Sequence, residues 1–480
     1  MSVFNRGPHT LSVPMRLFAE NRQRLCESLR EVVRDDNVAV VLQGGSETNR
    51  YDTDANDLAF RQESYFLWAF GVHEPDFYGA LDVKTGKSYL FTPKIDPSYV
   101  IWFGTIHDND YWKEKYEVDA VFYAEDMASV LKDKLGFQKL LLLKGQNTDS
   151  KSWASPATFI GQEAFETNLD LLFPIIAECR VFKTDLELEV LRYACNVSSQ
   201  AHKAAMQIAR PSMFEYQLES TFRHHAYFTG GCRYLGYTCI AGSGPNSAVL
   251  HYGHAAAPNH RQIVDGDLCL LDAGAEYGGY GADITTTFPC NGKFSEKQKV
   301  VYNGVLEANR AVQAAAKPGV SWVDMHKLAE KTILSHLRSA GLLTGDVDDM
   351  MSVRLGAVFM PHGLGHFLGL DVHDVGGYPK GVERIDEPGL RSLRTARVLQ
   401  KGMVITVEPG CYFIDPVLDQ ALDDPPRARF LVKNKIAEYR GIGGVRIEDD
   451  IIITETGVEN MIDVPRTVEE IEQFMAHPLP

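Results

Sequence analysis

The stretch LCLLDAGAEYGGYGADITTTFP, residues 268–289, reads as two buried strands, Leu268 to Asp272 and Asp283 to Phe288, joined by a glycine-rich connection. Such a connection predicts a hairpin. With the turn centred on Tyr277-Gly278, Asp272 faces Asp283 across the strands, and two like charges in that position repel unless something binds them. Taken alone, the pair is also compatible with two solvated aspartates beside a turn.

Three further motifs follow along the chain. In MPHGLGH, residues 360–366, glycines flank His366 and allow the backbone to approach a ligand closely, although a lone histidine is often only structural. Val404 to Val407 is a β-branched strand that delivers Glu408 just before the turn at Pro409-Gly410. In Gly444 to Ile453 the alternation puts Arg446 and Glu448 on one face, where an interior salt bridge is the plain reading. Together Asp272, Asp283, His366, Glu408 and Glu448 supply four carboxylates and one imidazole. This hard, oxygen-rich set suits a pair of divalent ions of the manganese type, although iron, cobalt or zinc fit such donors too. A mononuclear zinc site favours three His- or Cys-rich ligands, and a phosphate-binding G-x-x-x-x-G-K-[ST] loop is absent.

The 480 residues are 45% hydrophobic, enough for more than one domain with a core. Forty-eight Lys and Arg against 64 Asp and Glu give a formal net charge of −16, which argues against nucleic acid or an anionic membrane as a partner. No uninterrupted apolar run reaches the length of a spanning helix, and the first residues lack an apolar signal core, so a cytoplasmic chain is expected. Eight cysteines without a C-x-x-C pair predict buried, reduced thiols.

Residues 1–155 alternate helical and strand patterns and predict an α/β domain, with a helix from Val13 to Val33, a strand from Val38 to Leu42 and a hairpin around Val83 to Gly86. Residues 156–183 read as a connecting segment, and 184–480 as the domain that carries the motifs. In that last part a long helix, Thr184 to Ala209, ends at Pro211 and is followed by a second helix near Ser212. A hundred residues later Ser295 to Ala316 ends at Pro318-Gly319 and is again followed by a helix, near Ser321. The repeat predicts an internal duplication, with helices on one face of strands and a cleft between related halves.

The hairpin, then MPHGLGHFLGLDVHDVGG, VEPG and GGVRIEDD in that order, resemble the metallopeptidases of the pita-bread fold. Over nearly the whole length the pattern is similar to the eukaryotic Xaa-Pro dipeptidases, or prolidases, of that family. The resemblance implies a non-catalytic α/β domain followed by an α+β pita-bread catalytic domain with a pseudo-twofold duplication. It further implies that Asp283 and Glu448 bridge two metal ions, that Asp272 completes one site, and that His366 and Glu408 complete the other. Hydrolysis of Xaa-Pro dipeptides by a metal-bridging hydroxide would follow, with Glu408 moving the proton towards the departing proline nitrogen.

The same resemblance assigns His251, in HYGH, and His373, in LDVHD, to the surroundings of the scissile bond, with His254 and His362 ranked below them. Arg394, in GLRSLRTAR, is similar to an arginine that receives the dipeptide's C-terminal carboxylate; without the resemblance it is one of a basic cluster with Arg391 and Arg397. Arg446 is expected to orient Glu448 or touch substrate, and Tyr237 to line the pocket or the core. A homodimer is expected, with Trp102 at a position that reaches the partner's site in the family. The charged stretch from Asp415 to Arg440 reads as an insertion without an assigned role. An Xaa-Pro aminopeptidase shares the metal set, and a pita-bread binding protein without catalysis is disfavoured by the retention of every ligand.

Overall fold

The computed structural model describes residues 2–55, 59–253 and 258–477, which divide into two compact units, Met1–Glu187 and Leu188–Pro480. In the first unit a six-stranded sheet contains β1 (Val38–Gln43), β2 (Tyr78–Asp82), β3 (Ser88–Thr92), β4 (Ala120–Tyr123), β5 (Lys139–Leu142) and β6 (Glu166–Asn168), in the order β6-β5-β1-β2-β3-β4. β1 and β5 run parallel, as do β3 and β4, whereas β1–β2 and β2–β3 are antiparallel. The run VAVVL is buried throughout because β1 is central and has neighbours on both edges and faces. Helix α1 (Arg16–Arg30) packs on this unit through Leu17, Phe18, Leu25, Cys26 and Leu29, a stripe at helical spacing. Residues 156–183, read from sequence as a connection, contribute the edge strand β6 and helix α2 (Leu172–Val181) to this first unit.

The boundary between the units falls in the first turn of α3 (Asp185–Ile208), and the second unit consists of two similar halves. The first half pairs α3 and α4 (Glu215–Gly230) with a sheet of β7 (Ile240–Ser243), β8 (Leu268–Asp272) and β11 (Thr285–Pro289). Between β8 and β11 the hairpin continues as β9 (Ala275–Tyr277) and β10 (Tyr280–Gly281). The second half pairs α5 (Glu296–Ala315) and α6 (Trp322–Ser339) with β12 (Val404–Val407), β15 (Asp449–Ile453) and β16 (Val458–Asn460), while β13 (Gly410–Tyr412) pairs with β14 (Gly444–Arg446). This is the duplicated α+β arrangement expected from the repeated helix, proline, helix pattern.

Local chemistry explains the element ends. Ser295 caps α5 by accepting from Gln298 N at 3.3 Å, and Gln298 Oε1 accepts from Ser295 N at 2.8 Å, a capping box worth about 1 kcal/mol. The predicted face Val301, Val305, Ala308 and Val312 is buried. All eight cysteines are buried free thiols. Among the described residues no helix is long and apolar enough to cross a membrane. The Asp415 to Arg440 stretch folds as α7 (Asp415–Asp423), α8 (Pro425–Ala428) and α9 (Lys433–Tyr439), and Arg440 closes it by pairing with Asp415 at 2.7 Å and with Asp419.

Candidate metal centre

The hairpin turns one residue later than its sequence suggested. Tyr277 pairs with Tyr280, so Gly278 and Gly279 form the turn with φ of 57° and 92°. A two-residue hairpin turn of this hand needs positive φ at both central positions, which glycine adopts freely and Tyr277 does not. The register therefore sets Asp272 opposite Thr285, not opposite Asp283. Asp283 lies two residues before Thr285, diagonal to Asp272 on the same face, so the carboxylates still meet.

Asp272 is held from two sides. Tyr237 Oη donates to its Oδ1 and Arg446 Nη2 to its Oδ2, each at 2.5 Å. Arg446 thus pairs with Asp272, where the strand alternation alone suggested Glu448. Arg446 also donates through Nε to Thr285 Oγ1 at 3.1 Å and through Nη1 to Tyr412 Oη at 2.9 Å. Glu448 is joined to β11 by an isolated bridge to Thr285, whose Oγ1 donates to Glu448 Oε2 at 2.7 Å. That bridge connects the first half to the second at the site itself.

His366 donates through Nδ1 to its neighbour's carbonyl, Phe367 O, at 3.0 Å, since a carbonyl can only accept. The lone pair is thereby left on Nε2, which lies 3.2 Å from Asp283 Oδ2 and 3.7 Å from Glu408 Oε1. The His366 loop is tied to β12: Thr406 N donates to His366 O at 2.9 Å, and Glu408 N to Leu364 O at 2.8 Å. Gly365 is required for this approach, because a Cβ there would sit 2.0 Å from Thr406 O.

These five side chains, with His373, form overlapping triads whose ligand atoms lie within 4.8 Å of one another: Asp272, Asp283 and Glu448; His366, Glu408 and Glu448; and Asp283, His366 and His373. Burial raises the Asp283 carboxyl well above its ordinary range, with the charge of Asp272 adding to it. Glu448 is raised by burial and then by Asp283, Glu408 and Asp272, and Glu408 is pushed up to about 7, chiefly by burial. Four converging carboxylates with one guanidinium are an arrangement that divalent cations complete, so the donor set fits metal ions.

Of the remaining sequence candidates, His373, His362, His251 and Arg394 lie within electrostatic reach of the cluster or of one another. The His373 ring stands edge-on to His366 with centroids 4.4 Å apart, and burial followed by the nearby His366 and Arg394 lowers its basicity, favouring the neutral form. His251 is exposed on a turn and acts electrostatically on both His373 and His362. His362 is depressed to about 3, mainly by burial; it donates through Nδ1 to Gly363 O at 2.7 Å and accepts at Nε2 from Tyr412 Oη at 2.9 Å. Arg446, Tyr412 and His362 thus form one directed chain of donors. Arg394 follows Leu393, whose carbonyl accepts from Tyr378 Oη at 2.6 Å and Arg384 Nη1 at 2.7 Å. His254 lies outside the described residues. Trp102 belongs to the first unit, on the short helix Val100–Phe103, and is 76% exposed.

Arg466, Asp450 and Thr285, which also hold this centre in place, were not among the sequence candidates. Arg466 donates to Thr285 O at 2.8 Å, to Glu448 O at 2.6 Å and to Asp449 Oδ1 at 2.5 Å, clamping the bridge between the halves. Asp450 Oδ2 accepts from Asp283 N at 2.9 Å. Only Thr285 carried a readable signal, because it alternates with Asp283 on one strand face.

With a buried carboxylate and imidazole cluster between two duplicated halves, the second unit has the makings of a metallopeptidase. Residues 189–455 match metallopeptidase family M24, and residues 18–142 match the aminopeptidase P N-terminal domain. The chain belongs to metallopeptidase family M24. It is 59% identical over 472 residues to the Xaa-Pro dipeptidase of Homo sapiens, covering 98% of this chain and 95% of that protein, and 58% identical over 475 residues to that of Mus musculus, covering 98% and 96%. Among solved structures, the zinc-substituted aminopeptidase P of E. coli in complex with product superposes with a TM-score of 0.78 at 34% identity, covering 98% of this chain and 99% of that one. The fold is accordingly the pita-bread fold of that aminopeptidase, preceded by its N-terminal domain.

Proposed function

We propose that the chain is a dinuclear-metal dipeptidase that hydrolyses Xaa-Pro dipeptides. The observation that carries this reading is the pair of triads sharing Glu448, one completed by Asp272 and Asp283, the other by His366 and Glu408. In this reading Asp272, Asp283, His366, Glu408 and Glu448 would hold the ions, with Asp283 and Glu448 contributing to both, Asp272 to one, and His366 and Glu408 to the other. When bound, a pair of divalent cations, manganese by the hardness of the donors, supplies Lewis-acid activation of a water and of the scissile carbonyl.

The chain's own residues do the rest. Glu408 would accept a proton from the activated water and return it to the departing proline nitrogen. His373 is held neutral, so it acts as an N–H donor to the developing oxyanion, with His251 on the open side. Arg394 receives the free proline carboxylate, on a loop kept in place by Tyr378 and Arg384. Arg446 and Tyr237 fix Asp272 from behind. The first unit is non-catalytic. Its exposed apolar tip, which includes Ile101 and Trp102, supports a homodimer, and the reading places the protein in the cytoplasm.

An aminopeptidase acting on longer Xaa-Pro peptides is the second reading, supported by the structural likeness to aminopeptidase P and by 36% identity to a probable Xaa-Pro aminopeptidase of Verticillium alfalfae. Metal-stripped protein restored with one divalent metal at a time, then assayed on Gly-Pro and on a Gly-Pro-X tripeptide, tests both. The proposal expects restored cleavage of Gly-Pro over the tripeptide. The reverse preference would favour the aminopeptidase, and no restoration by any metal would remove both.

A further inference from the structure

We infer that a second site, built by the Asp415 to Arg440 insertion, binds a small oxyanion. A cavity of about 350 Å³ lies between α7 and α8, the segment around Arg354 and the loop from Pro388 to Ser392. Arg354, Arg391 and Arg427 all line it, together with the polar Ser392 and Gln420, and no Asp or Glu is among its lining residues. Three guanidiniums around one cavity run against the character of a chain whose formal charge is −16.

Each of the three arginines has a carboxylate within 4 Å, Glu330 and Glu387 for Arg354, Asp386 for Arg391 and Asp424 for Arg427, but none of these carboxylates lines the cavity. Arg354 is neutralised from behind by the buried Glu330, with two bonds of 2.8 Å, and its exposure is only 12%. It forms the floor. Arg427, 25% exposed, spends Nε on Val353 O at 3.1 Å and has Asp424 at 3.4 Å from Nη1. Arg391, 57% exposed, has Asp386 at 3.5 Å from Nε, and Asp386 is 92% exposed and solvated. Exposed pairs of that kind are worth little, so an anion held by two planar guanidiniums displaces them easily. Arg391, on the loop from Pro388 to Ser392, and Arg427, on α8, line the cavity from different elements.

The position also matters. Ser392 lies two residues before Arg394, and its carbonyl packs so closely on Gly363 that a Cβ there would be 2.9 Å away. An anion seated in the cavity therefore ties the insertion helices to the loop that presents Arg394. The inference concerns binding and stands whether or not the proposed reaction is correct.

The test is calorimetric titration of the metal-loaded full chain with sodium sulfate at constant ionic strength, with inorganic phosphate and succinate as separate arms. Saturable binding of one sulfate per chain is expected, weakened about tenfold or more in the Arg391→Gln/Arg427→Gln variant, with unchanged hydrolysis of Gly-Pro in the absence of anion. Should the double variant fail to fold, the exposed Arg391→Gln change alone should weaken sulfate severalfold. Binding of phosphate alone would assign a phosphate-bearing ligand, of succinate alone a carboxylate, and of both the shared oxyanion chemistry. Equal binding in wild type and the arginine variants, binding lost in Asp283→Asn but not in them, or no saturable binding would overturn the site.

Discussion

Replacing Arg466 with glutamine should destabilise the catalytic unit and weaken its hold on metal together. Arg466 is mostly buried, and its partner Asp449 is almost fully so. Its guanidinium makes four bonds: to Thr285 O, to Glu448 O, and two to Asp449 Oδ1. The shorter, neutral amide of a glutamine at this position would keep at most one or two of them. Asp449 would retain Gln313 Nε2 at 2.8 Å but lose its cation. Breaking a buried ion pair from one side costs about 3–5 kcal/mol, and that range is expected for the loss in unfolding free energy of the metal-free protein. Because Thr285 and Glu448 are the strands' contact at the site, metal affinity should also fall, by about tenfold to a hundredfold as for other groups that orient ligands. Urea denaturation monitored by tryptophan fluorescence, and titration with manganese at fixed pH, read the two quantities. Arg466→Lys, which keeps the charge and part of the bonding, should recover part of each. Wild-type stability and wild-type metal affinity in Arg466→Gln would refute the clamp, since the four bonds would then be dispensable.

Arg394→Ala should lower kcat/KM on Gly-Pro about tenfold to a hundredfold while changing hydrolysis of the proline amide little, as a charge-assisted bond is worth roughly 1.5–3 kcal/mol; equal losses on both compounds would assign Arg394 to folding or metal geometry. Glu408 gives the metal-free protein an unusual pH dependence. Its folded value of about 7 lies above the ordinary 4.5, so between those values the unfolded chain releases the proton first and stability falls as pH rises, with Asp283 and Glu448, also raised by burial, adding to the same trend. Glu408→Gln should make that slope shallower in denaturation curves taken from pH 4.5 to 7, and metal affinity of the wild type should rise over the same window. Gly365→Ala should reduce metal binding and hydrolysis strongly while the first unit stays folded, because the added Cβ meets Thr406 O at 2.0 Å and pushes the His366 loop off β12.

The elements that carry the site were readable from sequence where burial makes a pattern continuous. β8 and β12 were expected at the observed residues, since LCLLD and VITV are near-continuous apolar or β-branched runs, and both strands are buried along their whole length. The hairpin register was not, because turn position depends on which two residues tolerate positive φ, and Tyr277-Gly278 and Gly278-Gly279 look alike until that requirement is imposed. The ligand types were legible because four carboxylates in buried or strand-end contexts demand compensation. Arg466, Tyr412 and Asp450 were silent: each acts on a backbone group or a side chain at least seventeen residues away along the chain, and no local period records such a contact. Arg446 shows the same limit, since alternation reports a shared face with Glu448 but not the side-chain partner, Asp272, that lies 174 residues away.

The central claim is that two ions share Asp283 and Glu448, and counting bound metal in Glu448→Gln tests it most directly. Wild-type protein dialysed against manganese should retain two ions per chain. Glu448→Gln should lose affinity for both at once, with hydrolysis of Gly-Pro falling in step, whereas Asp272→Asn should lose one ion first. Two tightly bound manganese ions and undiminished hydrolysis in Glu448→Gln would contradict the shared-ligand arrangement.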